Sequence, residues 1–308
     1  MKIAVMGPGG VGGYFGARLA AAGNDVTFVG RGAHLEAMRK QGLKLDSEIG
    51  PLHLEKVKVA TAGNELAAAD AVIFAVKLGD TETAAAQLRG LVRSGATVFS
   101  FQNGVESCER IGKVLGLDNV VAGVARINAQ IAAPGVIKQG GKFASLEFGE
   151  VEGKASPRCQ ALLAACGKAG IAATLAEDIK RSIWMKFVML APMSGMTALT
   201  RGPIGPVRSD PDCRQLLVAA VRETVAVGMA QGVSLKPADA DAVIAAIDAL
   251  PAAMMASMCH DLLAGKPLEI AGLSGAVVRL GQGKGVPVPT HSFLTQALSL
   301  FAAGKPKV

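Results

Sequence analysis

The glycines of Gly7-Pro8-Gly9-Gly10-Val11-Gly12 are spaced as Gly-x-Gly-x-x-Gly, between an apolar run, Lys2 to Met6, and a segment of helical periodicity, Gly10 to Ala22. At such a junction glycines permit a tight turn and let an anionic group reach the N–H groups of a helix start. The pattern alone is common. As the first turn of a strand–helix–strand unit completed by Asp25 to Val29, it predicts a dinucleotide site, with Gly7, Gly9, Gly10, Val11 and Gly12 at the pyrophosphate. The second strand ends in Phe28-Val29-Gly30-Arg31, without the acidic residue that holds ribose hydroxyls but with an arginine suited to a 2′-phosphate. NADP (NADPH) is therefore expected over NAD. A solvated loop charge is the alternative reading of Arg31.

Other polar residues fall where chemistry would need them. Lys77 ends the apolar run Ala71 to Val76, and Asn103 follows the run Thr97 to Phe101, so both are expected at the ligand crevice of a parallel sheet. Lys77 as a surface charge and Asn103 as a turn residue before Gly104 stay open. Lys186 stands alone in Trp184-Met185-Lys186-Phe187-Val188-Met189-Leu190. A lysine among apolar neighbours suits proton transfer, or it snorkels to a helix edge. Glu269, in Leu268-Glu269-Ile270, is a carboxylate of the same isolated kind and a candidate partner for Lys186; a solvated glutamate near a helix start is the other reading. The histidines His34, His53, His260 and His291 have no metal-ligand spacing, and no Gly-x-Ser-x-Gly elbow occurs, so neither a metal site nor Ser-His hydrolysis is expected.

The elements that must carry these residues follow from periodicity. Strand runs at 71–76, 97–101 and 120–125 alternate with helical runs at 81–91 and 105–115, which predicts α/β architecture with a doubly wound parallel Rossmann sheet. Between Ile127 and Phe148, short runs broken by Pro134-Gly135 and Gly140-Gly141 read as antiparallel strands closing the sheet. A helix at 158–169 and a strand at 171–175 end this half. Beyond it the pattern is helical, at 178–199, 211–231, 237–250, 252–264, 273–283 and 291–303, with Pro192 expected to kink the first of these helices. The expected organisation is a dinucleotide-binding domain at 1–175 and an all-helical substrate and catalytic domain at 176–308.

Composition narrows the function. The chain has 308 residues, of which 50% are hydrophobic and 4% aromatic, enough for two packed cores but not for a base-stacking surface. Its net charge of +7 is scattered rather than clustered, so anionic small molecules are better partners than nucleic acid. The five cysteines form no Cys-x-x-Cys pair, which argues against a disulfide framework or a zinc site. The start lacks a signal-peptide pattern, and the run Ile183 to Leu199 is interrupted by Lys186, Pro192 and Gly195. A cytoplasmic protein with no membrane partner is expected. The apolar helical half allows a homodimer, and equally a domain that buries its own faces.

In this order the residues resemble one family, the ketopantoate reductases (2-dehydropantoate 2-reductases), over nearly the whole chain. The resemblance rests on the glycine motif continued through Gly13-Tyr14-Phe15-Gly16, on Arg31, Val76-Lys77, Gln102-Asn103-Gly104-Val105, Trp184 with Lys186, and Ser257-Met258 followed by Asp261 and Glu269. It implies transfer of hydride from NADPH to a branched 2-keto acid, giving a 2-hydroxy acid: 2-dehydropantoate to pantoate, for pantothenate biosynthesis. Lys186 would be the general acid and Glu269 the carboxylate that positions it or the substrate. Asn103, Ser194 and Ser257 would contact substrate, with Asn103 and Lys77 also near the cofactor. The chain departs from the pattern at Leu190 and Ser194, where the family carries asparagines, at Ala271 in place of aspartate, at Leu268 in place of threonine, and at His291 in place of asparagine. These departures imply a changed substrate choice more than a changed hydride transfer. Another hydrophobic 2-keto acid is thus the rival substrate, and a noncatalytic NADP-binding regulatory protein the rival class.

Overall fold

A computed structural model describes residues 1–152 and 156–306. The chain divides into two compact units, Met1–Asn103 with Ser107–Ile179, and Gly104–Glu106 with Lys180–Val308.

The first unit is α/β. It begins β1 (Lys2–Met6), α1 (Gly10–Ala21), β2 (Asp25–Val29), α2 (Gly32–Gln41), β3 (Leu43–Ser47), β4 (Leu52–Leu54) and β5 (Lys58–Ala60). It continues with β6 (Ala71–Phe74), α3 (Thr81–Ala86), α4 (Arg89–Arg93), β7 (Thr97–Ser100) and α5 (Ser107–Leu115). Then come β8 (Val120–Ala133), β9 (Val136–Gly149), α6 (Pro157–Lys168) and β10 (Ala172–Leu175). Among the described residues the strands form one sheet in the order β4-β3-β9-β8-β7-β6-β1-β2-β5, with β10 on β9. From β5 to β8 every neighbouring pair is parallel, as a Rossmann sheet requires. The β8–β9 pair is antiparallel, and β9 also takes β3 and β10 in parallel.

Burial explains the all-apolar central strands. Along β1, Ile3 and Val5 belong to the core shared with α1, while Ala4 and Met6 enter the core shared with α3 and α5. A strand covered on both faces has no reason to alternate in polarity. On the α1 face, Phe148 meets Phe99 and Phe101 edge to face, with ring centroids 5.6 and 6.0 Å apart.

Several elements differ from the sequence reading. The stretch from Ile127 to Phe148 belongs to two 14-residue strands rather than several short ones. Pro134-Gly135 is the turn between them, whereas Gly140-Gly141 sits inside β9, at the register shift where Ile127 faces Ala144 but Asn128 faces Gly140. The glycine pair thus marks a bulge. The helix read at 81–91 is two helices, α3 and α4, and β3, β4, β5 and α2 gave no clear signal.

The second unit is helical: α7 (Ile179–Thr200), α8 (Ile204–Ser209), α9 (Pro211–Ala230), α10 (Pro237–Asp248), α11 (Ser257–Leu263), α12 (Ser274–Gln282) and α13 (Pro289–Leu298). Pro192 lies inside α7, which continues through it as one 22-residue helix. The helix expected from 252 begins only at Ser257. The backbone ahead of it is engaged elsewhere: the N–H groups of Gly205 and Ile204 donate to the carbonyls of Ala252 and Met254. Among the described residues no helix is long and apolar enough to cross a membrane.

The aromatic cluster gives a direct test of the sheet's core. Phe148→Ala leaves a cavity beneath Phe99 and Phe101 and should cost about 3–5 kcal/mol, read as a lowered urea midpoint; a shift under about 1 kcal/mol would show that the site collapses around the missing ring.

Candidate functional site

The turn from β1 into α1 builds the first part of the site. Gly7 has φ +92°, and a Cβ there would meet the Val76 backbone nitrogen at 2.8 Å, so only glycine fits between the two strand ends. A Cβ on Gly12 would collide with the Gly7 carbonyl oxygen, and one on Gly10 with the Ala129 carbonyl of β8. Gly9 differs: a Cβ there meets nothing within 4 Å. The turn is closed by backbone contact beneath and open above Gly9, where α1 begins with N–H groups that have no acceptor in their own helix.

That open side leads into a cleft of about 300 Å³ at the carboxyl ends of β1, β2 and β6. Gly7, Gly9, Arg31 and Lys77 line it. Gly10, Val11 and Gly12 do not line it; they form the first turn of α1. Asn103 follows β7, half-buried, and its carbonyl accepts from the Ser107 hydroxyl at 3.2 Å. Three further residues shape the cleft without having been singled out for it. His34 lines it and ties Pro8 to the β8–β9 turn: its Nε2 lies 3.0 Å from the Pro8 carbonyl, and its Nδ1 accepts from the Gly135 N–H at 3.0 Å. Those partners fix a neutral ring with the proton on Nε2, and burial holds its pKa below the usual imidazole value. Gln102 donates to the Val76 carbonyl and the Thr81 hydroxyl, both at 2.9 Å, pinning the loop that bears Lys77. Asp80, at the end of that loop, receives Arg31, whose Nη2 is 3.1 Å from each carboxylate oxygen. The only sequence cue for His34 was its position just after the second strand.

The second unit carries the other candidates. Lys186 is half-buried on α7, in the turn that buries Trp184, Phe187 and Val188. Leu190 and Ser194 follow it at intervals of four, on the same face of the helix. Ser194 is fully buried, and its hydroxyl has no hydrogen-bond partner among the described residues. Glu269 is half-buried, and its backbone carbonyl accepts from the N–H groups of Gly272 and Leu273 at 2.9 and 3.1 Å. Ser257 is exposed at the first position of α11, and Ala271 is exposed two residues beyond Glu269. Among the described residues no three of His, Cys, Asp and Glu are placed to hold a metal ion.

Comparison with known proteins gives this arrangement a family. Residues 3–153 match the model described as ketopantoate reductase PanE/ApbA, and residues 178–302 match its C-terminal counterpart. The chain belongs to the ketopantoate reductase family. A 2-dehydropantoate 2-reductase of Mesorhizobium japonicum is 32% identical to it, with 94% of each chain covered. A solved PanE/ApbA family ketopantoate reductase from Ralstonia eutropha JMP134 is 29% identical, with a TM-score of 0.90 over 98% of each chain. A D-mandelate dehydrogenase solved with NADH and anilino(oxo)acetate shares the fold, with a TM-score of 0.88 over 98% of each chain, at 23% identity. The chain is thus an oxidoreductase of the 2-dehydropantoate 2-reductase kind that takes a nucleotide cofactor. The glycine turn, open above Gly9, and the cleft beyond it fit such a cofactor.

His291, one of the departures from the family pattern, is fully buried on α13. Its Nε2 lies 3.0 Å from the Ala220 carbonyl and 2.8 Å from the Thr224 hydroxyl, while Glu223 caps the helix by accepting the N–H groups of Thr290 and His291. Burial pulls its pKa from 6.5 to about 4 despite the nearby Glu223 carboxylate. The folded state therefore holds this ring neutral while the unfolded chain takes up a proton. The stabilisation is full above about pH 6.5 and is lost as pH falls toward 4, roughly 3 kcal/mol in all. His291→Asn should flatten the fall of stability across that window by a comparable amount, measured by urea unfolding at stepped pH; parallel profiles for the two proteins would refute the assignment.

Proposed function

We propose that this chain reduces 2-dehydropantoate to pantoate with NADPH, the first unit holding the dinucleotide and the second supplying the acid and the substrate contacts. The observation that carries the reading is the cleft itself: a glycine turn that admits pyrophosphate, with Arg31 rather than a carboxylate at the end of β2. Gly7, Gly9 and the first turn of α1 would hold the pyrophosphate, and Arg31 the 2′-phosphate. Lys77 and Asn103, at the ends of β6 and β7, would face the cofactor and substrate. When bound, the reduced nicotinamide supplies the hydride that reaches the carbonyl carbon.

The chain's own contribution is then charge and a proton at the carbonyl oxygen. An ammonium on a packed helix is fixed before charge develops on that oxygen, so it favours the transition state over the ground state. Lys186 fills this role, with Glu269 orienting it or the substrate hydroxyl and Ser257 as a further substrate contact; Ser194, expected as another, is fully buried and leaves no surface for substrate. Family membership and the retention of both ionisable residues favour an enzyme over a noncatalytic NADP-binding protein. A more hydrophobic 2-keto acid is the second reading, favoured by Leu190 in place of an amide.

The test is the initial rate of NADPH oxidation with 2-dehydropantoate and with a panel of other 2-keto acids. Saturable turnover of 2-dehydropantoate supports the first reading; turnover restricted to apolar keto acids moves the assignment to the second, and none at all favours a binding protein. Lys186→Ala should lower kcat by about 10²- to 10⁴-fold while NADPH affinity stays within twofold; unchanged kcat would remove the lysine from the chemistry. Arg31→Ala should weaken NADPH by about tenfold and leave NADH nearly unaffected, as checked by titration of each nucleotide.

A further inference from the structure

Arg31 has an anionic partner within the chain itself. Both oxygens of Asp80 lie 3.1 Å from one of its guanidinium nitrogens, and both side chains line the nucleotide cleft. The carboxylate arrives from an unusual direction. A dinucleotide site that reads ribose hydroxyls carries its acid at the end of β2, where this chain has Gly30-Arg31. Here the acid comes from the loop after β6.

That loop is held at both ends. The Asp80 N–H donates to the Lys77 carbonyl at 2.9 Å, and Gln102 fixes Val76 before it and Thr81 after it. The carboxylate therefore has a fixed base from which to reach Arg31. The pair itself lies at the surface, with side-chain exposures of 79% for Arg31 and 48% for Asp80, so it is weak enough to exchange for another anion. The nearby acid in the first turn of α3, Glu82, is engaged instead by Arg110 at 2.6 Å.

We propose that Asp80 is a specificity-determining residue that occupies Arg31 in place of the 2′-phosphate, so that NADPH must displace an internal carboxylate that NADH leaves undisturbed. The proposal rests on the reading that this cleft binds a nicotinamide dinucleotide. Asp80 thereby lowers the preference for NADPH below what Arg31 alone would give, and NADH remains a usable ligand. No contact between Asp80 and the hydride or the keto acid is involved.

Equilibrium titration of NADPH and NADH, followed by nucleotide fluorescence, tests this without reference to turnover. Asp80→Asn keeps the side chain's size and removes its charge. It should tighten NADPH by about three- to tenfold, which is about 0.7 to 1.4 kcal/mol at 1.4 kcal/mol per decade, and shift NADH by less than twofold. The gain should shrink as ionic strength rises and should disappear when Arg31 is already alanine. Asp80→Ser repeats the loss of charge in a second background, so that a poorly folding variant does not decide the outcome. An NADPH-to-NADH affinity ratio that stays within twofold of the unaltered protein in both variants would overturn the proposal. So would an equal gain in the Arg31→Ala background, which would make Asp80 a simple repulsive charge. Failure of the unaltered protein to bind either nucleotide would overturn the cofactor reading itself and the proposal with it, and it is recognisable before any variant is made.

Discussion

The first unit depends on one close backbone approach. Gly12 in α1 stands against the Gly7 carbonyl, and Gly7 stands against the backbone between β6 and its loop. A side chain at either place would push α1 off the sheet or separate β1 from β6, and the cleft exists only while both stay together. Gly10 adds a third contact, against the Ala129 carbonyl of β8, so the long hairpin is seated on the same helix start. His34 completes the enclosure by joining the Pro8 carbonyl to the turn of that hairpin. A neutral imidazole has one donor and one acceptor, and both are used here. The glycine motif is therefore a packing constraint before it is a binding one, and the binding face is what remains uncovered at Gly9.

This explains why so much of the unit was legible in the sequence. Strands buried on both faces must be apolar throughout, and glycines pressed on by backbone cannot be replaced, so β1, β6, β7 and the glycine turn announce themselves. The elements that gave no clear signal obey weaker constraints. β3 alternates, with Leu43, Leu45 and Ser47 buried and Lys44 and Asp46 exposed, but five residues of alternation do not stand out beside the longer apolar runs. β4 and β5 are three residues each, and their pairing is set by neighbours distant in sequence. Gly140-Gly141 was misread because a glycine pair marks a departure from regular pairing without saying whether the chain turns back or merely bulges.

The candidate site was legible in proportion to how much its chemistry forces residue type. Gly7, Gly9, Arg31 and Lys77 were named from strand ends and line one cleft. Asp80, His34 and Gln102 act through partners 21 to 101 residues away in sequence. Nothing local distinguishes an aspartate before a threonine-led helix from an ordinary surface charge. Only the folded chain sets it opposite Arg31, and that pairing changes what an arginine at the end of β2 means: it is a cation already in use.

In the helical unit, the position of Lys186 follows from packing two residues earlier. The Trp184 ring meets Phe187 edge to face at 5.6 Å and presses on Gly228 of α9, where an added Cβ would lie 2.7 Å from the ring. A glycine is needed opposite the tryptophan, and that single pairing fixes both the rotation and the height of α7. Arg181 reinforces it from the preceding turn, with its guanidinium 2.7 Å from Asp239 of α10. A helix locked this way leaves Lys186 little freedom except in its own flexible stem, and the residues four and eight positions on share its face by the same rotation. Leu190 and Ser194 therefore stand in register with the lysine. Under the role proposed for Lys186, the packing that fixes the cation also fixes Leu190 one turn along the same face, so substrate choice can change there while the lysine's setting does not.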